Sequence, residues 1–207
     1  MNNLTPQRKG ILFVISAPSG GGKSTLLANL ATMADPELKY SISCTTRTPR
    51  PGEVDGNHYH FLSHEEFLRR VAEGAFIEHA RVHDNHYGTL RQTVLDALDT
   101  GNDLLMDVDV QGAAQIRANA DERMRSALVD VFLMPPSMPE LERRLRKRAT
   151  ETPEQLALRL ANAQTEMAEW SDYRYVIISG SAQDDFDNFR AIMRAERMRS
   201  ERLALAF

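Results

Sequence analysis

Apolar positions along the chain follow two rhythms. Four short, nearly continuous apolar runs at 11–16, 104–110, 129–134 and 175–179 are separated by polar or glycine-rich stretches. Runs of that length without alternation suit strands buried on both faces, as in a parallel sheet. Between them, apolar residues recur at helical spacing. Leu26, Leu27 and Leu30 mark one helix, and Val94, Leu95 and Leu98, ending near Gly101, mark another. Phe186, Phe189, Ile192 and Met193 share a face of the segment 186–205, which predicts a long terminal helix.

Two stretches break this βα alternation. Residues 41–89 hold short alternating runs (Tyr40, Ile42, Cys44; Tyr59, Phe61), the turn residues Pro49, Pro51, Gly52 and Gly56, and a helical pattern at 64–72. They predict a small mixed insertion. Residues 135–168 open with Pro135-Pro136 and then read as charged helix, predicting a helical flap.

The first apolar run leads directly into Ala17-Pro18-Ser19-Gly20-Gly21-Gly22-Lys23-Ser24, and then Thr25 opens the Leu26 helix. Strand, glycine-rich turn and helix start together form a phosphate cradle. The glycines let successive N–H groups turn inward, and the helix N-terminus adds partial positive charge. Lys23 then reaches the β- and γ-phosphates and the Ser24 hydroxyl is placed to ligate Mg²⁺. The first glycine of the eight-residue pattern is replaced by Ala17, which a negative φ accommodates.

Composition narrows the field. A chain of 207 residues suits one α/β domain with inserted subdomains. The formal net charge of −4 argues against nucleic-acid binding, which needs a broad basic surface. The single cysteine, Cys44, excludes a disulfide framework and fits packing in a reducing, cytoplasmic compartment. No run approaches membrane-spanning length, so no membrane association is expected, and residues 1–9 read as a short flexible leader. Self-association into a homo-oligomer is neither indicated nor excluded.

Three further groups carry candidate chemistry. The run Leu104-Leu105-Met106 ends in Asp107, the pattern that sets a carboxylate beside a cradle and near Mg²⁺. Asp109, two residues on, is expected on the same side of that strand, so that two carboxylates face the site. Arg47 and Arg50 stand three apart in a Pro-punctuated loop that suits a phosphate held by planar guanidinium forks, unless the loop is simply basic and solvated. Arg143-Arg144-Leu145-Arg146-Lys147-Arg148 places Arg144 and Arg148 on one helix face, with Arg143, Arg146 and Lys147 readable as solvated charge. His58 and His60 alternate like a strand pair but have no third ligand at a metal-site spacing.

Taken in order, the cradle, Ser43-Cys44-Thr45-Thr46-Arg47-Thr48-Pro49-Arg50-Pro51-Gly52-Glu53 with Tyr59, Phe76-Ile77-Glu78, Tyr87-Gly88, Asp107-Val108-Asp109-Val110-Gln111-Gly112 and Arg194-Ala195-Glu196-Arg197 resemble guanylate kinases across roughly 10–199. The resemblance implies an α/β fold with a P-loop parallel β-sheet core flanked by helices (10–40, 90–134 and 169–207). Into this core are inserted a small mixed α/β subdomain that binds the nucleoside monophosphate (41–89) and a helical lid (135–168). By resemblance, Arg47, Arg50, Tyr59 and Tyr87 hold the GMP phosphate, and Ser43, Glu78, Thr89 and Asp109 surround the guanine. Lys23, Arg47 and the lid arginines Arg144, Arg148 and Arg159 supply catalytic charge. Ser179-Gly180-Ser181 stands where many of these kinases carry Asn near the adenine.

The implied reaction is γ-phosphoryl transfer from Mg·ATP to GMP or dGMP, with ATP and Mg²⁺ as cosubstrate and metal. The chemistry of guanine agrees, because its N1–H and N2–H₂ are adjacent donors that one carboxylate, Glu78, accepts together. Two rivals stay open on sequence. A silent guanylate-kinase-like binding module would lack a usable cradle, whereas Lys23 and Ser24 are retained here. A GTPase would carry an N-K-x-D recognition sequence, which this chain lacks, and a kinase of another phosphorylated metabolite would have no use for a base-reading carboxylate.

Overall fold

The computed structural model describes residues 7–147 and 152–204. The chain runs through β1 (Gln7–Arg8), β2 (Leu12–Ser16), α1 (Lys23–Ala31), β3 (Leu38–Tyr40), β4 (Cys44–Thr45), β5 (His60–Phe61), α2 (His64–Ala72), β6 (Phe76–Val82), β7 (Asn85–Leu90) and α3 (Arg91–Asp99). It continues through β8 (Asp103–Asp107), α4 (Val110–Asn119), α5 (Glu122–Ala127), β9 (Leu128–Met134), α6 (Met138–Lys147), α7 (Pro153–Ala168), β10 (Tyr175–Ile178), α8 (Ala182–Arg197) and β11 (Leu203–Ala204).

Five strands form a parallel sheet in the order β10-β9-β2-β8-β3. The period of two along each strand sends alternate side chains to opposite layers. Leu12, Val14, Leu104, Met106 and Phe132 join Val94, Ile116 and Met124 from α3, α4 and α5. Phe13, Ile15, Leu105, Val131 and Leu133 join Leu26 and Leu30 of α1 and Phe189 and Met193 of α8. Because both faces are covered, β2 has no polar side until Ser16, and every one of its residues is buried.

A second, four-stranded sheet in the order β5-β4-β7-β6 is built within 41–90. Its own small core stacks Phe67 of α2 on Phe76 of β6 at 4.4 Å and includes buried Cys44. Burial raises the Cys44 thiol to about 11, which fits packing rather than reactivity. Helix α4 ties the two sheets together: Gln115 exchanges two 3.0 Å hydrogen bonds with the backbone of His79, and Asn119 Nδ2 donates to Ile77 O at 2.9 Å. Helices α6 and α7 pack on each other through Leu141, Leu145, Leu156 and Ala163.

Three expectations are corrected. The apolar run at 104–110 is not one strand, because β8 stops at Asp107 and Asp109 is the N-cap of α4, accepting from Gly112 N at 2.7 Å. The terminal helix ends at Arg197, since beyond Met193 the inward positions are charged: Glu196 is 1% exposed and holds Arg202, which turns the chain back. Residues 7–9 of the expected leader are paired. β1 runs antiparallel to β11, Lys9 N donates to Arg202 O at 2.8 Å, and Arg8 reaches Asp103 at 2.5 Å.

Candidate active site

The cradle connects β2 to α1 at the C-terminal ends of the parallel strands, where open α/β sheets bind their ligands. Gly20 and Gly22 have φ of 86° and 106°, a left-handed region open to glycine without strain. Ala17 is not in that region, so its methyl is accommodated. Gly22 caps α1, whose first turn holds no acidic residue and no side-chain cap, so no side-chain oxygen occupies the helix N-terminus. Lys23 Nζ donates to Val108 O at 2.9 Å and is ion-paired with Asp107, while Ser24 and Thr25 are exposed. Asp107 is reached because Ile15 and Asp107 are register partners in neighbouring strands.

Helices α6 and α7 lie on this loop. A Cβ at Gly20 would come within 2.8 Å of Leu145 and 3.0 Å of Leu141, so the glycine permits the contact. Arg144 Nε donates to Glu140 Oε1 at 2.8 Å, and Arg144 Nη1 reaches Ser179 Oγ at 2.9 Å and Gly21 O at 3.5 Å. Arg159 Nη1 is 3.4 Å from Ser19 Oγ, and Ser19 N donates to Glu166 Oε2 at 3.3 Å. Burial raises the Glu166 carboxyl. Arg143 and Arg146 pair with Glu140 and Glu142 along their own helix, the solvated reading. Arg148 lies outside the described residues.

Across the cleft, Arg47 and Glu53 meet fork to fork at 2.9 Å and 2.9 Å, and Glu53 also accepts from Arg50 N at 2.7 Å. The Arg47 guanidinium beside it holds the Glu53 carboxyl down at about 2. Arg47 sits over the Tyr59 ring at 5.5 Å, and Tyr59 meets Tyr87 edge-on at 6.1 Å. Arg50 extends exposed from the same turn. Sequence reasoning gave Glu53 no role; a carboxylate six residues after Arg47 in a Pro-punctuated loop was the available signal.

The remaining residues gather at the start of α4. Glu78, 7% exposed, pairs across the strands with Thr89, and Ser43 Oγ lies 3.4 Å from Thr89 Oγ1. Burial pushes the Glu78 carboxyl above its ordinary range and the Asp109 charge adds to that, against a hydrogen bond from Thr89. A Cβ at Gly112 would sit 3.0 Å from Val108 Cβ, 3.4 Å from Asp109 Oδ1 and 3.5 Å from Glu78 Oε2, which places Gly112 against both carboxylates. Asp109 therefore reaches the site as a helix cap beside Glu78, not as a second strand carboxylate beside Asp107.

A cavity of about 210 Å³ separates the sheets, with Ser43, Tyr59 and Thr89 on one wall and Tyr40, Met106 and Asp107 on the other. Burial, with the Asp107 charge, raises the Tyr40 phenol to about 12. A larger cavity of about 530 Å³, lined by Lys9, Gly10, Leu98 and Arg202, lies at the N-terminal ends of the strands, away from the cradle. Among the described residues no group of three or more His, Cys, Asp or Glu could hold a metal ion, and no helix is long and apolar enough to cross a membrane.

Comparison with known proteins fits this geometry. A sequence model of the guanylate kinase family matches residues 9–196. The guanylate kinase of Rhizobium meliloti (strain 1021) is 45% identical over 195 residues, covering 94% of this chain and 87% of its own. That of Bartonella henselae (strain Houston 1) is 47% identical over 196 residues, covering 95% and 86%. The crystal structure of guanylate kinase from Anaplasma phagocytophilum superposes with a TM-score of 0.69 at 36% identity, over 96% of this chain and 92% of that one. With the family model spanning nearly the whole chain and relatives this similar, the chain belongs to the guanylate kinase family.

Proposed function

We propose that this enzyme transfers the γ-phosphoryl group of ATP to the 5′-phosphate of GMP or dGMP, releasing ADP and GDP or dGDP. The observation that carries the reading is buried Glu78 beside Thr89 and Ser43, an acceptor set suited to guanine's paired donors. Adenine has an unprotonated N1 and would set an acceptor against that carboxylate. Arg47, Arg50, Tyr59 and Tyr87 form the corner for the acceptor phosphate, and the cradle residues 17–25 take the phosphates of ATP.

A phosphate monoester has its second pKa at about 6, so the acceptor is largely ionised at neutral pH and no strong general base is required. Catalysis rests on aligning two polyanions and offsetting their charge with Lys23, Arg47, Arg144 and Arg159. Mg²⁺ suits the oxygen donors at the cradle mouth, the exposed Ser24 hydroxyl and the Asp107 carboxylate, which is 46% exposed. Bound there, the ion supplies Lewis-acid neutralisation of phosphate charge. The insertion 41–89 and the segment 135–168 act as binding subdomain and lid, excluding water whose attack would waste ATP.

A coupled assay of ADP release with GMP, dGMP, AMP, CMP and UMP tests the reading. GMP and dGMP should support turnover and the other three only a small fraction of it. Equal rates with all acceptors, or no release with GMP, would overturn it.

A further inference from the structure

Ser179 follows β10, and its amide donates to Met134 O of β9 at 2.7 Å, fixing it at the edge of the sheet that carries the cradle. Its side chain is 2% exposed in the protein and lies between two charged groups. Its Oγ stands 2.9 Å from Asp185 Oδ2 and 2.9 Å from Arg144 Nη1. A hydroxyl has one proton and two acceptor lone pairs, a carboxylate only accepts, and a guanidinium only donates. The proton is therefore committed to Asp185 and a lone pair faces Arg144.

Asp185 is 5% exposed with both oxygens engaged: Oδ2 accepts from Ser179 Oγ and Oδ1 from Gly180 N at 2.9 Å. It sits in the first turn of α8, where the helix dipole favours negative charge. At the other end of the chain of contacts, a Cβ at Gly22 would lie 3.5 Å from Ser179 Oγ and 3.8 Å from Arg144 Nη1. Core hydroxyl, lid guanidinium and cradle glycine thus meet at one point.

We infer that Ser179 and Asp185 are positioning residues for phosphoryl transfer, Asp185 fixing the polarity of the Ser179 hydroxyl and Ser179 holding Arg144 over the phosphate loop. This rests on the reading that Arg144 acts on the phosphates of ATP. Glu140 takes Nε and Ser179 takes Nη1, which also lies 3.5 Å from Gly21 O, so these contacts fix the plane of the guanidinium against the loop. The segment after β10 then serves the lid.

The test is a mutant cycle on the full-length enzyme, with kcat, both KM values and Tm measured for Ser179→Ala, Asp185→Asn and Arg144→Ala, alone and combined. Asn has one acceptor and one donor at this end, so it cannot accept from both Ser179 Oγ and Gly180 N. Ser179→Ala and Asp185→Asn should each lower kcat about tenfold with KM for GMP unchanged, and neither should lower it further once Arg144 is Ala. Equal losses with and without Arg144, or no loss in Ser179→Ala, would overturn the inference while leaving the role of Arg144 intact. Unchanged kcat in Arg144→Ala alone would overturn the role of Arg144, and the inference with it. Should Asp185→Asn not fold, Ser179→Ala, which removes a single oxygen, carries the comparison.

Discussion

Arg47 and Glu53 form a two-pronged ion pair, both N···O distances 2.9 Å, and the same carboxylate accepts the Arg50 amide at 2.7 Å. One acidic side chain thus folds the loop that carries both arginines proposed to hold the acceptor phosphate. Without it, each GMP that binds has to order the loop itself, and that ordering entropy is charged against affinity. Glu53→Ala should raise KM for GMP about tenfold with little change in KM for ATP. Steady-state kinetics in both substrates check this, and unchanged or tighter GMP binding would show that Glu53 only competes with the phosphate.

Glu78 gives the reaction a pH signature. Its carboxyl is raised by burial and by Asp109, so protonation begins above the ordinary glutamate value of about 4.3. In the proposed role the ionised form accepts guanine's two donors and the protonated form cannot, so kcat/KM for GMP should fall as pH drops through the raised value. For stability the sign is opposite: the fold disfavours the ionised form, and the cost is relieved on acidification. The GMP phosphate titrates identically with wild type and Glu78→Gln, so the difference between their pH profiles isolates Glu78. Superimposable acid limbs would contradict the assignment.

The C-terminal return is held by a buried pair. Arg202 and Glu196 have side chains 3% and 1% exposed, with Nη2···Oε2 at 2.7 Å, and Tyr175 Oη donates to Glu196 Oε1 at 2.7 Å. Glu196→Ala strands a buried guanidinium, a loss of about 3–5 kcal/mol. Thermal denaturation should show Tm lowered by roughly 10 °C. A Tm within a degree or two of wild type would mean that Arg202 finds solvent without cost.

The cradle was legible because its glycines, Lys23 and Ser24 are adjacent in sequence and each residue type has a distinct physical task. Four of the five core strands were legible from continuous apolar runs; the edge strand β3, Leu38–Tyr40, is too short and too exposed to show one, and the strand order depends on packing across the whole chain. The run at 104–110 misled because Val108 and Val110 extend the apolar pattern past Asp107, while Asp109 caps the next helix. The terminal helix was overextended because periodicity has nothing to say once Glu196 and Arg202 are buried as charges. The two-residue strands β1 and β11 are too short to carry a period. The contacts of Arg144 with Ser179, and of Ser179 with Asp185, join residues on separate elements, and no spacing rule connects them.

The account stands on Glu78 reading guanine, and the measurement that tests it most directly is the ratio of kcat/KM for GMP over AMP in wild type and Glu78→Gln. Gln keeps the size but offers one acceptor and one donor, so one buried contact with the N1–H and N2–H₂ pair becomes donor against donor. Such a mismatch costs about 1–3 kcal/mol, more where a charged partner is lost, which lowers kcat/KM for GMP roughly tenfold to over a hundredfold while AMP loses far less. The ratio should therefore collapse in the variant. A ratio that stays constant would contradict the account and move guanine selection to Ser43, Thr89 and Asp109.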